Sequence, residues 1–434
     1  MLLGKKLYKV IRRTTACALA FAMLCGLSGC SVEKEENLLV ADVSYPEGYG
    51  FDDYDTRREI YRKNSVSDSF VDSVNGFSCE TAYELLKEDG NICYSPISFY
   101  YALAAAAEGA KGQTRDEILE LLGEPDTDVL SAQCHNLYNI LFKDNELGKL
   151  LMKGSVWIDD SFEINNGYIN RLADKYYTES YHGDFASQDM ADAMKQWIKD
   201  NTGGMDMDIE PDADKVLAIL NTVYFSDQWI DKFEKRLTGK DEFRLSDGGT
   251  VECEFMNSAY ASHYYMKGDG YTRSTLSFKN SGSMYFVLPD EGVDVRSLVD
   301  SPEKIRNVLF EGDGTMGEVI WKVPKFSYDT ELELNDTLKK LGVTTCFTGD
   351  ADFSGMGTLK SGENVFVSDI KQNSHIELDE NGVTASAFTE IGYAGAALPD
   401  GRAEMVLDRP FLYAIVNEKD VIIFIGICDN PAQK

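Results

Sequence analysis

The stretch Asp379-Glu380-Asn381-Gly382-Val383-Thr384-Ala385-Ser386-Ala387-Phe388-Thr389-Glu390-Ile391-Gly392-Tyr393-Ala394 alternates from Val383 onward. Val383, Ala385, Ala387, Thr389, Ile391 and Tyr393 form one set, small or apolar, that can face a core. Thr384, Ser386, Phe388, Glu390, Gly392 and Ala394 form the other, and most of these can face water. Successive side chains of a strand point to opposite faces, so such a segment can lie in a sheet with one face buried. No proline stands between Gly382 and Leu398, where it would delete a ladder hydrogen bond. Two readings fit these residues alone: a segment able to become a strand, or an Ala- and Gly-rich surface loop.

Downstream, Phe411–Val416 and Val421–Ile427 are apolar runs joined by Asn417-Glu418-Lys419-Asp420, which reads as a terminal hairpin with a four-residue loop. Upstream, Val216–Phe225, Met284–Leu288, Val319–Phe326 and Val365–Ile370 are apolar runs of strand length. Helical patterns cluster earlier. Phe77, Ala82, Leu85 and Leu86 form a stripe that Gly90 closes. Ser95-Pro96 suits an N-cap and first turn, and the Ala-rich segment Phe99–Glu108 suits a helix packed inside the protein. Thr114 and Glu117 have capping-box spacing before Ile118–Leu122. A further short helix is expected near Leu334–Leu341, ended by Gly342. Helices early and long strands late favour a single α+β domain over a doubly wound sheet.

The N-terminus reads as a secretion signal over 1–29: five bases, no acid, then the apolar run Ala16–Leu24, short for a membrane span. Leu27-Ser28-Gly29-Cys30 resembles a lipobox, which would make Cys30 the lipidated new N-terminus. The alternative is an ordinary signal cleaved near Gly29. Residues 30–68 are acidic and polar, broken by Pro46, Gly48 and Gly50, and read as a flexible tether ahead of a folded domain over 69–434. The whole chain carries a formal charge of −31, which repels phosphate backbones and argues against nucleic acid as a partner.

Cys79, Cys93, Cys134, Cys253, Cys346 and Cys428 are spread singly, unlike a small disulfide framework. No Cys-x-x-Cys pair occurs, none of the four His has metal-site spacing, and no phosphate loop or nucleophile elbow is present. No metal, cofactor or assembled catalytic set is therefore expected, and enzyme activity is disfavoured.

Several segments together resemble the serpin family. They are Asn91-Ile92-Cys93-Tyr94-Ser95-Pro96-Ile97-Ser98, Gly109-Ala110-Lys111-Gly112-Gln113-Thr114, and Leu220-Asn221-Thr222-Val223-Tyr224-Phe225 with Trp229 and Phe233. Leu288-Pro289-Asp290, Val323-Pro324-Lys325-Phe326, Asp379-Glu380-Asn381-Gly382, Arg409-Pro410-Phe411-Leu412 and Phe424-Ile425-Gly426 with Asn430-Pro431 continue the pattern in order. The resemblance implies three β-sheets, eight or nine helices and an exposed reactive loop over about 383–405. It implies a suicide inhibitor of serine peptidases: the target cuts the loop as an acyl-enzyme, and the loop inserts into the large sheet as a new strand.

The same resemblance assigns roles. Glu380, Gly382, Val383, Ala385 and Ala387 would form the hinge, and Glu380 should contact Lys325. Ser95, Asn221, Gln372, Trp229 and Lys325 would form the sheet-opening cluster. The family usually has Thr or Ser where Val383 stands and Ala where Phe388 stands. At the family spacing the scissile bond is Ala396–Ala397, which suits an elastase-like or subtilisin-like pocket; Tyr393 and Arg402 are the alternatives. A non-inhibitory serpin-fold binding module is the competing function. The expected setting is extracellular, as a monomer tethered through Cys30 to a bacterial membrane.

Overall fold

The computed structural model describes residues 38–205, 207–368, 370–383 and 401–433. Among these, nine α-helices and three sheets make a mixed α+β fold. The helices are α1 (Tyr54–Lys63), α2 (Asp68–Leu85), α3 (Pro96–Gly109), α4 (Gly112–Leu122), α5 (Thr127–Leu141), α6 (Asn166–Tyr176), α7 (Gln188–Asn201), α8 (Pro302–Phe310) and α9 (Asn335–Lys340).

One eight-stranded sheet holds β1 (Leu39–Ala41), β2 (Gly148–Asp159), β3 (Thr178–Gly183), β4 (Leu217–Gln228), β5 (Phe326–Glu333), β6 (Lys371–Asp379) and β7 (Gly382–Val383), in the spatial order β1-β3-β2-β4-β7-β6-β5. The short strand Lys143–Asp144 pairs with β2. A nine-stranded sheet contains Thr315–Pro324, β8 (Arg402–Val406) and the terminal hairpin of β9 (Phe411–Val416) and β10 (Ile422–Cys428). The third sheet is the pair Phe162–Ile164 and Gly357–Leu359.

Between the large sheets lies α3. Its Ala104, Ala105 and Ala107 are buried, and such small side chains let one helix lie against both β4 and β10. Ser95 is its N-cap residue, yet the Ser95 hydroxyl donates to Ile423 O at 2.9 Å and leaves the helix end uncapped by a side chain. The run expected over Val319–Phe326 is two strands in two sheets. The chain crosses at Lys325, whose amide donates to Glu254 O at 2.8 Å.

Three expectations need correction. The tether proposed for 30–68 is ordered within its described part. β1 adds antiparallel to β3, with Leu39 opposite Tyr181. The Tyr45 hydroxyl donates to Glu179 at 3.0 Å, and Arg57 and Tyr61 of α1 both bind Glu418 in the terminal hairpin turn. No apolar period announces α1 because it buries no residue; Asp53 caps it through Thr56 N, and polar contacts fix its place. The run Val365–Ile370 forms no strand in its described residues, and Phe366 is exposed.

The capping box is also absent. Helix α4 begins two residues before Thr114, and Thr114 is buried, accepting from Asp352 N at 3.0 Å. Glu117 instead caps a distant turn, accepting from Thr344 N, Thr345 N (both 2.8 Å) and Thr345 Oγ1 (2.6 Å). Partial burial raises its pKa, but these donors outweigh burial and hold the carboxyl down to about 2. A depressed carboxyl contributes stability above its unfolded value of 4.5 and loses it as pH falls toward about 2. Glu117→Gln should therefore cost about 1 kcal/mol near neutrality, allowing for partial exposure. Unfolding temperatures from pH 5 down to about pH 2 should then converge with the wild type.

Candidate functional site

Two strands of the eight-stranded sheet meet only at one end. β7 pairs antiparallel with β6 (Leu378 opposite Val383, Asp379 opposite Gly382) and with β4 (Gly382 opposite Gln228, Val383 opposite Asp227). Below this seated pair no ladder among the described residues joins the facing edges of β4 and β6. The gap is one strand wide where β7 fills it. Farther along, a cavity of about 370 Å³ is lined by residues of α3, α7 and the two strands.

The chain enters this slot through a fixed turn. Asp379 Oδ1 accepts from Asn381 N at 2.7 Å and Gly382 N at 3.3 Å. The Trp229 indole donates to Asp379 O at 3.1 Å, and Trp229 N donates to Asn381 O at 2.9 Å. Trp229 is buried and stacks on Phe278 with ring centroids 4.7 Å apart. Gly382 is required by close approach: a Cβ there would lie 1.9 Å from Asp227 O. Val383 is 2% exposed.

Glu380 anchors the turn. Its carboxylate accepts from Thr238 Oγ1 at 2.9 Å and lies 3.3 Å from Lys325 Nζ, which also faces Glu254 at 3.4 Å. Burial works to raise the Glu380 pKa, but its own amide, Thr238 and the Lys325 charge together lower it, so it is held as a carboxylate. Its side chain is 7% exposed, so breaking the pair would leave a nearly buried charge without its counterion.

The sheet-opening residues divide into two groups. Trp229 and Lys325 belong to the hinge turn. Ser95, Asn221 and Gln372 lie farther down the slot; Asn221 is eight residues from Trp229, about 26 Å along an extended strand. Gln372 binds the first turn of α3 twice: Oε1 accepts from Ser95 N and Nε2 donates to Ser95 O, both at 2.9 Å. The Ser374 hydroxyl donates to Gln372 at 3.4 Å. Asn221 instead donates to Ser98 O at 3.1 Å, so it meets Gln372 through the α3 N-terminus and not directly. Replacing Gln372 by Leu would strand the buried Ser95 N–H, while the Ser95 carbonyl keeps only its long helical bond from Phe99 N at 3.4 Å. The expected loss is about 1–3 kcal/mol, seen as a lower unfolding temperature.

Of the loop residues, Ala385, Ala387, Tyr393, Ala396 and Ala397 lie outside the described residues, as does Cys30. Arg402 does not lie in an open loop. It begins β8, which pairs parallel with Thr315–Pro324, and its guanidinium contacts Glu404 at 2.9 Å and Glu318 at 3.5 Å. A residue bound into a sheet is not free to extend into a peptidase cleft, so Val383 and residues 401–405 leave the loop expected over 383–405, and Arg402 drops out as a scissile residue.

Sequence reading passed over Thr238 and Asp227, and Ser98 entered it only as the end of a motif. Thr238 carries no signal that separates it from other hydroxyls, and Ser98 takes part through its backbone carbonyl, which no side chain announces. Asp227 does carry a signal: it is an acid near the end of an apolar strand, between Phe225 and Trp229.

A protein-family model described as Serpin (serine protease inhibitor) matches residues 72–431. Serpin-ZX of Arabidopsis thaliana is 28% identical over 399 residues, which cover 87% of this chain and 99% of that protein. Serpin A3-6 of Bos taurus is 30% identical over 398 residues, covering 87% and 92% respectively. Among solved structures, the thermophilic serpin tengpin in its native state has a TM-score of 0.76 at 25% identity, covering 91% of this chain and 98% of that one.

Proposed function

The chain belongs to the serpin family of serine protease inhibitors, and from that premise we propose that it is a suicide inhibitor of elastase-like or subtilisin-like peptidases. The observation that carries this reading is the seating of Gly382–Val383 between β4 and β6, whose facing edges form no ladder below it among the described residues. A segment that already enters the sheet at one end has a path to enter further.

In this reading the peptidase serine attacks the carbonyl of Ala396. The Ala396–Ala397 bond breaks, the new amine leaves, and Ala396 stays esterified to the enzyme. The freed loop zips down the slot and carries the acylated peptidase with it before water can hydrolyse the ester. The small residue at 396 fits a shallow primary pocket. A lipid on Cys30 would hold the monomeric inhibitor outside a bacterial cell, with the ordered N-terminal segment lying against the sheet edge.

The test mixes the soluble domain with elastase, subtilisin, chymotrypsin and trypsin. Complexes that survive denaturing gels are expected with the first two, with a released C-terminal peptide beginning at Ala397 by mass. A peptide beginning at Ala394 would move the scissile bond to Tyr393. Cleavage without complexes would replace the inhibitor reading by the binding-module one.

A further inference from the structure

We propose that seating of the hinge pair Gly382–Val383 is coupled to protonation of Asp227, which makes Asp227 a positioning residue for the reactive loop. The purpose of this coupling rests on the inhibitor reading; its test does not.

Asp227 is fully buried and lies directly across from Val383 in the ladder. Opposed residues share a sheet face, so the valine methyls lie beside the carboxyl on the core side. Asp227 Oδ1 accepts from Gln228 N at 2.8 Å. Among the described residues, Oδ2 and the buried Ser281 Oγ and Gln228 Oε1 have no partner at good hydrogen-bond geometry, although the Asn280 and Ser281 amides and the Ser281 hydroxyl lie near enough to act on the carboxyl. Valine offers no donor to the carboxylate. A neutral carboxyl, in contrast, can itself donate to a hydroxyl.

The groups facing Asp227 come from several elements. Across β2 stands Gly148, which has no side chain. The turn at 280–281 presents the Asn280 and Ser281 amides and the Ser281 hydroxyl. On the strand Lys143–Asp144, the buried Lys143 ammonium donates to Ile140 O at 2.7 Å and is held down to about 8 by burial, with Glu418, Arg57 and Asp227 itself also acting on it. Burial raises the Asp227 carboxyl to about 7 even though the Gln228, Asn280 and Ser281 donors pull it down.

When Val383 leaves, water reaches the edge of β4 beside Asp227 and hydrates the ionised form, so the carboxyl returns toward its ordinary value of 3.8. The seated state then binds one more proton over the interval between these values. Seating is strongest below about pH 4 and weakens by up to tenfold per pH unit as pH rises toward 7, then levels off. Lys143 titrates above this window.

Hydrogen exchange of the intact protein reads this directly. Protection of the peptide carrying residues 380–383, corrected for intrinsic rates, should fall about tenfold between roughly pH 5.5 and 7.5. Asp227→Asn should abolish the difference. Val383→Thr, which adds a donor for the ionised carboxylate, should shrink it and decides the matter if the Asn variant does not fold. Equal wild-type protection at both pH values, no protection at either, or a wild-type difference surviving in the Asn or Thr variant would overturn the proposal. Failure to form peptidase complexes would remove the inhibitor reading and leave this hinge measurement standing.

Discussion

Cutting the loop between Val383 and Gly401 should raise the unfolding temperature by about 10 °C or more. Among the described residues the facing edges of β4 and β6 are unladdered below β7, edges to which one more strand would supply backbone hydrogen bonds on both sides. Each such bond contributes roughly 0.5–1.5 kcal/mol net, while ordering each residue costs about 1–2 kcal/mol of backbone entropy. These terms nearly cancel. The surplus comes from burying the apolar members of the inward set, above all Ile391 and Tyr393, at about 1.5–3 kcal/mol each, and from filling the cavity of about 370 Å³. Several kcal/mol in a domain of this size corresponds to a rise of the stated order. The intact form is then held by a barrier, a case of kinetic stability. Calorimetry of intact and elastase-nicked protein checks this. Identical transitions would mean that the loop does not insert.

What the sequence made legible follows from how local each signal is. The hairpin of β9 and β10 was readable because its two apolar runs flank a polar four-residue turn, where Asp420 takes a positive φ of 60° and Asn417 Oδ1 binds Lys419 N and Val421 N. Helix α3 was readable from its alanines. Helix α1 was not, because its stability comes from Glu418, more than 350 residues away in sequence, and from no stripe of its own. The capping-box spacing of Thr114 and Glu117 misled for the same reason: both side chains serve partners more than 220 residues downstream. The contact of Glu380 with Lys325 could be expected only through the family resemblance, since nothing near either residue marks it. The separation of Trp229 and Lys325 from Gln372 needed the strand geometry.

The register of β7 also fixes where an inserted loop would fall, and it singles out Ala387. Continuing the observed pairs, Ala385 would oppose Phe225 and Ile376, Ala387 would oppose Val223 and Ser374, and Thr389 would oppose Asn221 and Gln372. Phe225, Ile376, Ser374 and Gln372 are all buried, so this set would point into the body of the protein. Thr389 would bring a hydroxyl between Asn221 and Gln372, the two polar side chains that now meet only through α3. Arginine at 387 would place a guanidinium among apolar groups, with Ser374 as its nearest polar neighbour. An unpaired buried charge costs several kcal/mol, enough to stall the strand halfway while the acyl-enzyme waits. Deacylation then wins the competition. Ala387→Arg should leave the fold and the rate of loop cleavage unchanged but lower the yield of denaturation-resistant complex at least tenfold, with cleaved chain accumulating instead. Ser386→Arg, one residue earlier and outward-facing in the same register, is the control and should retain most of the complex. If both variants inhibit equally well, the loop does not follow the register that Gly382 and Val383 begin.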